Sequence, residues 1–186
     1  MGGIRRLNHA VLFVSDLERA LDFYTKTLGF RVQSREPGMN AAFLQTAEST
    51  NHHDLGLFGL GPNAPARRRR ELGLYHLAWQ VDTIEELVEL RGALIDANAI
   101  TGESSHGATL SVYGADPDGN QFELMWMLPR SAWGDYETKA VVEPLDLSGE
   151  LARCHKEKGV ATRFSTLCAN LSTSWFPGVL CPEREW

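Results

Sequence analysis

Two histidines and one glutamate have the residue types that a divalent metal site needs. His9 and His76 occupy equivalent positions in two similar segments, NHAVLFVSDLERALDF and YHLAWQVDTIEELVEL. Either histidine alone would be typical of a core position, but the equivalence favours one shared site. Glu123 lies among apolar residues, where a carboxylate is costly unless a cation compensates it. Two imidazoles and one carboxylate form the ligand set of non-haem Fe(II) oxygenases, which zinc or manganese also accept.

The two similar segments are predicted to begin with a strand that positions each histidine. In the first segment His9, Val11 and Phe13 fall on one face, because successive side chains of a strand alternate. SDLE and DTIE follow, and each offers a capping residue, Ser15 or Asp82, with glutamate three positions later. Apolar residues then recur at helical spacing, so each helix is expected to pack one face on a sheet.

Three short runs of alternating residues follow each predicted helix and indicate strands. The runs are FRVQSRE, AAFLQTA and HDLGLFGL in the first half, then AITGES, TLSVYGA and NQFELMWM in the second. The turn DPDGN, residues 116–120, connects the last two strands. The order strand, helix and three strands thus occurs twice. It predicts an α+β domain over residues 1–130, made of two βαβββ modules at about 4–62 and 72–129.

The composition is that of an ordinary globular chain, and it excludes some classes of partner. The 186 residues carry a formal net charge of -6, with 43% hydrophobic and 23% charged residues. No basic excess is available for nucleic acid or an anionic membrane, and the run RRRR is expected to be a solvated linker. Charged residues interrupt every apolar stretch near the N-terminus, so no signal peptide or membrane span is predicted and a cytoplasmic location is expected.

The C-terminal part of the chain has a different pattern from the two modules. Residues 131–186 contain one candidate helix, PLDLSGELARCHKEKG, and then a stretch without periodicity that is predicted to be disordered or loosely docked. Cys154, Cys168 and Cys181 match no zinc or disulfide spacing, so reduced thiols are expected. The alternative is that the tail closes an interface or a site, and the sequence does not specify which role it has.

The chain resembles the vicinal oxygen chelate superfamily over about residues 4–129. The resemblance rests on LNHAVLFVSDLERALDFYTKTLGF, YHLAWQVDTIEEL and DPDGNQFELMW. That superfamily includes glyoxalases, fosfomycin-modifying enzymes, bleomycin-binding proteins and type I extradiol ring-cleaving dioxygenases. The resemblance implies that the two modules form a U-shaped cup of mixed sheet with the helices outside. It also implies that His9, His76 and Glu123 hold a metal in the cup.

The segment HHDLGL is similar to the HHxLA-like segment of the extradiol dioxygenases, with Gly56 where alanine is more usual. In that branch the second histidine lies beside the substrate and O₂, which implies this role for His53, whereas His52 would face away. A further histidine and a tyrosine precede the final glutamate in the branch, and His106 and Tyr113 match them.

The resemblance to this branch implies the reaction and the partners. The predicted function is extradiol cleavage of a catechol-type ring with O₂ at Fe(II), with Mn(II) as the alternative metal. His53 would act as the acid-base group, and His106 and Tyr113 would hydrogen-bond the catechol oxygens. The expected partners are a small aromatic diol and O₂. A homodimer or larger closed assembly is also expected, because exposed sheet edges often bury against a second copy.

Three other functions remain alternatives. A glyoxalase-like isomerase would need a fourth protein ligand, for which HHDLGLFGL offers only Asp54. A fosfomycin-modifying enzyme would share the three ligands, but the basic and potassium-holding residues that a phosphonate needs are not evident. A metal-free aromatic- or drug-binding protein would generally lack the two histidines and the glutamate. Four aromatic or apolar residues are expected to face the cup and to accept a hydrophobic substituent: Phe43, Trp79, Leu110 and Trp126.

Overall fold

The computed structural model describes residues 2–68 and 72–156, and the chain divides into two compact units. The first unit covers Met1–Leu145 and contains both predicted modules. The second unit covers Asp146–Trp186, and its described part forms a helix over residues 147–156, within the candidate helix of the tail. The stretch predicted to be disordered lies outside the described residues. Within the described ranges, no helix is long and apolar enough to cross a membrane.

The first module consists of one helix and a four-stranded sheet. Its elements are β1 (Ala10–Val14), α1 (Leu17–Lys26), β2 (Arg31–Glu36), β3 (Ala41–Gln45) and β4 (Leu55–Gly59), with a short 3-10 helix at Pro37–Met39. The strand order is β1-β4-β3-β2, with β1 parallel to β4 and the other pairs antiparallel. The strand that follows His9 is therefore at an edge of this sheet.

The second module repeats this arrangement. Its elements are β5 (His76–Val81), α2 (Ile84–Asp96), β6 (Ile100–Ser105), β7 (Thr109–Ala115) and β8 (Gln121–Met127). The strand order is β5-β8-β7-β6, again with one parallel pair, β5 and β8. The predicted α+β class and the order strand, helix and three strands are confirmed in both modules. His76 begins an edge strand, as His9 precedes one.

Both helices begin one residue later than the sequence pattern indicates. Asp16 caps α1, and Thr83 caps α2 in a reciprocal capping box with Glu86. The predicted caps, Ser15 and Asp82, are therefore wrong by one position. A run of polar residues before a helix offers several candidate caps, and only the backbone conformation decides which side chain reaches the free amides.

Each sheet packs one face against the helices, and alternation along the strands decides which residues this face contains. In β8, Leu124 and Trp126 are buried on the helix side, opposite to Glu123. The strand register pairs Trp79 with Leu124 and Leu110 with Trp126, which places both on the helix side. The expectation that Trp79, Leu110 and Trp126 face the cup is therefore wrong.

The turn between β7 and β8 connects the second module to helix α1 of the first. The Tyr24 hydroxyl donates a hydrogen bond to Asp116 over 3.2 Å, and the Ser15 hydroxyl donates one to Asp118 over 2.5 Å. Burial raises the pKa of Asp116, and burial together with the Asp116 carboxylate raises the pKa of Tyr24. The turn predicted only to connect two strands thus also fixes how the two modules pack together.

Candidate metal and substrate site

His76 and Glu123 lie on adjacent strands and face the same side of the second sheet. The register pairs Ala78 with Glu123, and His76 shares their face because it lies two residues before Ala78. His76 Nε2 lies 3.1 Å from Glu123 Oε2. Ser111 on β7 donates a 2.5 Å hydrogen bond to Glu123 Oε1, which leaves Oε2 directed at the histidine. Ser111 was not predicted, although the alternation of β7 places it on the same face as Tyr113.

The pair of His76 and Glu123 fits a divalent metal ion. Two ligand atoms that each lie about 2.1 Å from one ion, at a right angle, are about 3.0 Å apart, close to the observed 3.1 Å. Glu123 is only 9% exposed, so a cation would compensate a carboxylate that burial makes costly. No hydrogen bond holds the other ring nitrogen, the buried Nδ1 of His76. These two residues could supply two ligands, and the remaining ligands must come from elsewhere.

A histidine and a tyrosine meet on the same face of the second sheet. Tyr113 lies directly opposite Glu123 in the register of β7 and β8. The tyrosine hydroxyl is 2.7 Å from His106 Nε2, and the Ser104 hydroxyl is 2.9 Å from the same nitrogen. Gly107 has a φ of +79°, which forms the tight turn that brings His106 back toward β7. The structure thus brings His106 and Tyr113 together, and Ser104 is a partner that the sequence pattern did not indicate.

The other two predicted histidines meet on the first sheet. The ring centroids of His9 and His53 lie 4.5 Å apart, and His53 also contacts the ring of Phe43 at 4.9 Å. His52 is exposed, and its Nδ1 lies 3.1 Å from that of His53. Partial burial, followed by the neighbouring rings of His9 and His52, lowers the pKa of His53. The His53 ring is therefore held more strongly in its neutral form, which can accept a proton.

The structure does not bring His9 to the other two predicted metal ligands in a single chain. No three His, Cys, Asp or Glu side chains lie close enough to hold one ion anywhere in the two described ranges. The strand beyond His9 exposes large apolar side chains, with Val11 51% and Phe13 65% accessible. We call the first-sheet surface with His9 and His53 the His9 face, and the second-sheet surface with His76 and Glu123 the Glu123 face.

A fourth protein ligand is absent from the corresponding place in the first module. The parallel pair of β1 and β4 sets Val11 opposite Gly56, just as β5 and β8 set Ala78 opposite Glu123. Glycine therefore occupies the position equivalent to the glutamate. The nearby Asp54 carboxylate is buried and accepts hydrogen bonds from residues 46, 49 and 51. Neither position offers the free carboxylate that a four-ligand site would need.

Curated proteins that are similar to this chain include a dioxygenase and a lyase. Biphenyl-2,3-diol 1,2-dioxygenase 3 from Rhodococcus globerulus is 36% identical over 124 residues, which cover 64% of this chain and 62% of that protein. Lactoylglutathione lyase from Escherichia coli O157:H7 is 31% identical over 134 residues, which cover 64% of this chain and 91% of that protein. The chain therefore spans less than two thirds of the length of this dioxygenase, but most of the length of the lyase.

The fold and the family are shown by two further comparisons. The crystal structure of a glyoxylase/bleomycin resistance protein/dioxygenase domain from Frankia sp. EAN1pec matches with a TM-score of 0.56 and 22% identity. That match covers 68% of this chain and 100% of the other, and it supports the fold alone. Residues 6–124 match the sequence pattern of one large family. The chain belongs to the Glyoxalase/Bleomycin resistance protein/Dioxygenase superfamily.

Proposed function

We propose that the protein is an extradiol dioxygenase that cleaves a catechol-type ring with O₂ at an Fe(II) centre, with Mn(II) as the alternative metal. The observation that carries the proposal is the hydrogen-bonded pair of Tyr113 and His106 opposite Glu123. A catechol held beside the carboxylate would find polar partners there for its oxygens. The similarity to the R. globerulus dioxygenase supports the same class of reaction.

The proposed metal site takes ligands from two copies of the chain. His76 and Glu123 would come from one copy and His9 from the other. This is supported by the separation of the two faces within one chain and by the exposed apolar residues beside His9. In a twofold dimer each contact occurs twice, so pairing the His9 face with the partner's Glu123 face would complete two sites. His53 would then enter each site together with His9.

Each of three side chains has a separate role in the proposed reaction. Bound Fe(II) would supply adjacent positions for catechol and O₂ and a path for electrons between them. Ser111 would keep one oxygen of Glu123 engaged, so that the other oxygen faces the metal. Tyr113 would bind and orient a catechol oxygen. His53 would accept a proton at its ring, which its lowered pKa keeps neutral over a wider pH range.

The proposed activity is tested by oxygen consumption with a set of catechols. Ferrous iron is added to the full-length protein under anaerobic conditions, and catechol and O₂ follow. We expect stoichiometric oxygen uptake and a yellow ring-opened product. A protein that binds no iron, consumes no oxygen and forms no colour with several catechols would contradict the proposal, and would favour a metal-free binding protein.

A glyoxalase-like isomerase is the second candidate, because the match to the E. coli lyase covers 91% of that protein. Gly56 and the hydrogen-bonded Asp54 weigh against it, since neither can add a carboxylate ligand. Formation or breakdown of lactoylglutathione by the metal-loaded protein, without oxygen uptake on any catechol, would favour this candidate instead.

A further inference from the structure

Residues 130–145 follow β8 and lie beyond the part of the chain that matches the family, residues 6–124. We call this segment the strap. It begins with two short 3-10 helices, Arg130–Ala132 and Gly134–Glu137. The indole nitrogen of Trp133 donates a 2.8 Å hydrogen bond to the carbonyl oxygen of Leu128. The strap is therefore attached to the end of the strand that carries Glu123.

The strap packs directly on the turn that positions His106. Gly107 has positive φ, and a Cβ atom at this position would lie only 2.3 Å from the ring of Tyr136. The aromatic ring thus occupies the space that any other residue at position 107 would need. The turn and the strap fit each other closely enough that a single methyl group would separate them.

Farther along, the strap adds a short bridge to β6 and reaches the His106 ring. The amide of Ser105 donates to the carbonyl of Glu143, and the amide of Glu143 donates to the carbonyl of Ser105, each over 2.9 Å. Two residues earlier in the strap, the carbonyl oxygen of Val141 lies 2.9 Å from His106 Nδ1. The bridge therefore holds the Val141 carbonyl against the imidazole.

This contact decides which nitrogen of neutral His106 carries the hydrogen. A carbonyl oxygen only accepts hydrogen bonds, so Nδ1 must donate to Val141 and Nε2 keeps its lone pair. The hydroxyls of Tyr113 and Ser104 both lie within hydrogen-bond distance of Nε2, at 2.7 and 2.9 Å. Nε2 has one lone pair, and the tyrosine hydroxyl, which is the closer of the two, donates its hydrogen to it, so the tyrosine oxygen keeps its lone pairs free.

We propose that the strap is a positioning element of the substrate site, in which the Val141 carbonyl fixes His106 as the Nδ1–H tautomer and thereby orients the Tyr113 hydroxyl. This inference rests on the proposed function, in which Tyr113 contacts the catechol. Because the Tyr113 hydroxyl donates its hydrogen to His106, only its oxygen is available to the ligand, as an acceptor. The position therefore selects a ligand group that donates a hydrogen bond, such as a phenolic hydroxyl that keeps its proton.

The test compares Glu143→Pro with Glu143→Ala in the full-length protein. Proline removes the amide that donates to Ser105, whereas alanine keeps it and removes only an exposed side chain. The tautomer of His106 is measured by long-range ¹H–¹⁵N correlation spectra without added iron, and its signal is assigned by comparison with His106→Asn. We expect the Nδ1–H form in wild type and in Glu143→Ala, and a mixture with the Nε2–H form in Glu143→Pro.

The kinetic readout is the KM for catechol, measured beside kcat. A lost acceptor at Tyr113 should raise KM about tenfold in Glu143→Pro and change kcat much less, as expected for one hydrogen bond. Tyr136→Ala, which removes the ring that the strap packs on the Gly107 turn, is expected to act in the same way. An unchanged His106 tautomer in both strap variants would overturn the inference. Because the spectra need no turnover, that result is distinguishable from a failure of the proposed reaction.

Discussion

The hydroxyl of Ser111 donates a 2.5 Å hydrogen bond to one oxygen of Glu123, and the other oxygen lies 3.1 Å from His76 Nε2. The serine is fully buried, so water does not compete for this bond. A carboxylate whose one oxygen is engaged in this way has only one orientation in which to meet a cation. Ser111 therefore orients the Glu123 carboxylate as a metal ligand without being a ligand itself.

Removing this hydroxyl should weaken metal binding while leaving the predicted ligands in place. We expect Ser111→Ala to lower iron affinity by about 10- to 100-fold, the usual effect of losing a group that orients a ligand. The measurement is a titration of the full-length protein with Fe(II) under anaerobic conditions. Ser104→Ala is the matched control on the same face, because Ser104 contacts His106 and not Glu123. Equal affinities for the two variants would argue against the orienting role.

Loss of His76 should remove iron binding, whereas loss of His53 should slow turnover. His76→Ala should abolish iron binding, because it deletes one of the two ligands that already converge. His53→Ala should bind iron as the wild type does and turn over about 10²- to 10⁴-fold more slowly, as expected for loss of a general acid-base group. Iron content and steady-state oxygen uptake are measured on the same samples. A His53 variant without iron would instead assign that ring to the metal.

Mixing inactive variants tests whether two copies share a site. His9→Ala and Glu123→Ala remove ligands from different faces, so a mixed dimer would contain one intact set of ligands. We expect one ion per mixed dimer and recovery of part of the activity. Each variant alone should bind no iron and show no activity. Differently tagged subunits allow the mixed dimer to be purified before metal analysis.

The control for this mixture is the pair His76→Ala and Glu123→Ala. Both substitutions lie on the Glu123 face, so every site of their mixed dimer is damaged and no ion should bind. If His9 instead joined the other ligands within its own chain, neither mixture would recover iron. Iron binding by wild-type protein that is strictly monomeric would also show that the ligands come from a single chain.

The buried Asp54 carboxylate should make the loop before β4 sensitive to acid. Burial acts to raise the pKa of Asp54, but hydrogen bonds from Thr46, Ser49 and Asn51 outweigh it and hold the pKa below its ordinary value. The stabilisation is complete above the unfolded-state pKa of about 3.9 and is lost as pH falls through the lower folded-state pKa.

Asp54→Asn should therefore reduce the free energy of unfolding at neutral pH by about 1–3 kcal/mol. The free energy of unfolding of the variant should also change less with pH in the acidic range. Thermal unfolding of both proteins, followed from neutral pH to below about pH 4, measures the two effects. We expect the difference in Tm between wild type and variant to shrink as the medium becomes more acidic. A difference that stays constant over this range would show that the Asp54 charge does not contribute.

Much of each module follows from local patterns in the sequence. The alternation of NQFELMWM correctly places Glu123 opposite to Trp126, and the repeat of strand, helix and three strands is found twice in the structure. The caps at Ser15 and Asp82 failed because neighbouring polar residues compete for the same role. Trp79 and Leu110 were misplaced because their face depends on pairing with β8, which local spacing does not specify.

Contacts between distant segments could not be predicted in this way. Val141 reaches His106 through its backbone carbonyl, a group that every residue type has, so no side-chain pattern marks it. The packing of the turn at Asp116 on Tyr24 joins residues from different modules. Periodicity describes which face of an element is apolar, but not which distant element will cover it.

The separation of His9 from His76 and Glu123 has a thermodynamic consequence for the proposed dimer. If one ion must join two chains, iron occupancy becomes a function of protein concentration, and dilution would release metal as well as subunits. The coupling is reciprocal, so iron would tighten the dimer by the same factor by which dimerisation tightens iron. Iron supply would then control how many subunits are paired. Catalysis would be confined to conditions in which the protein concentration and the iron concentration are both sufficient.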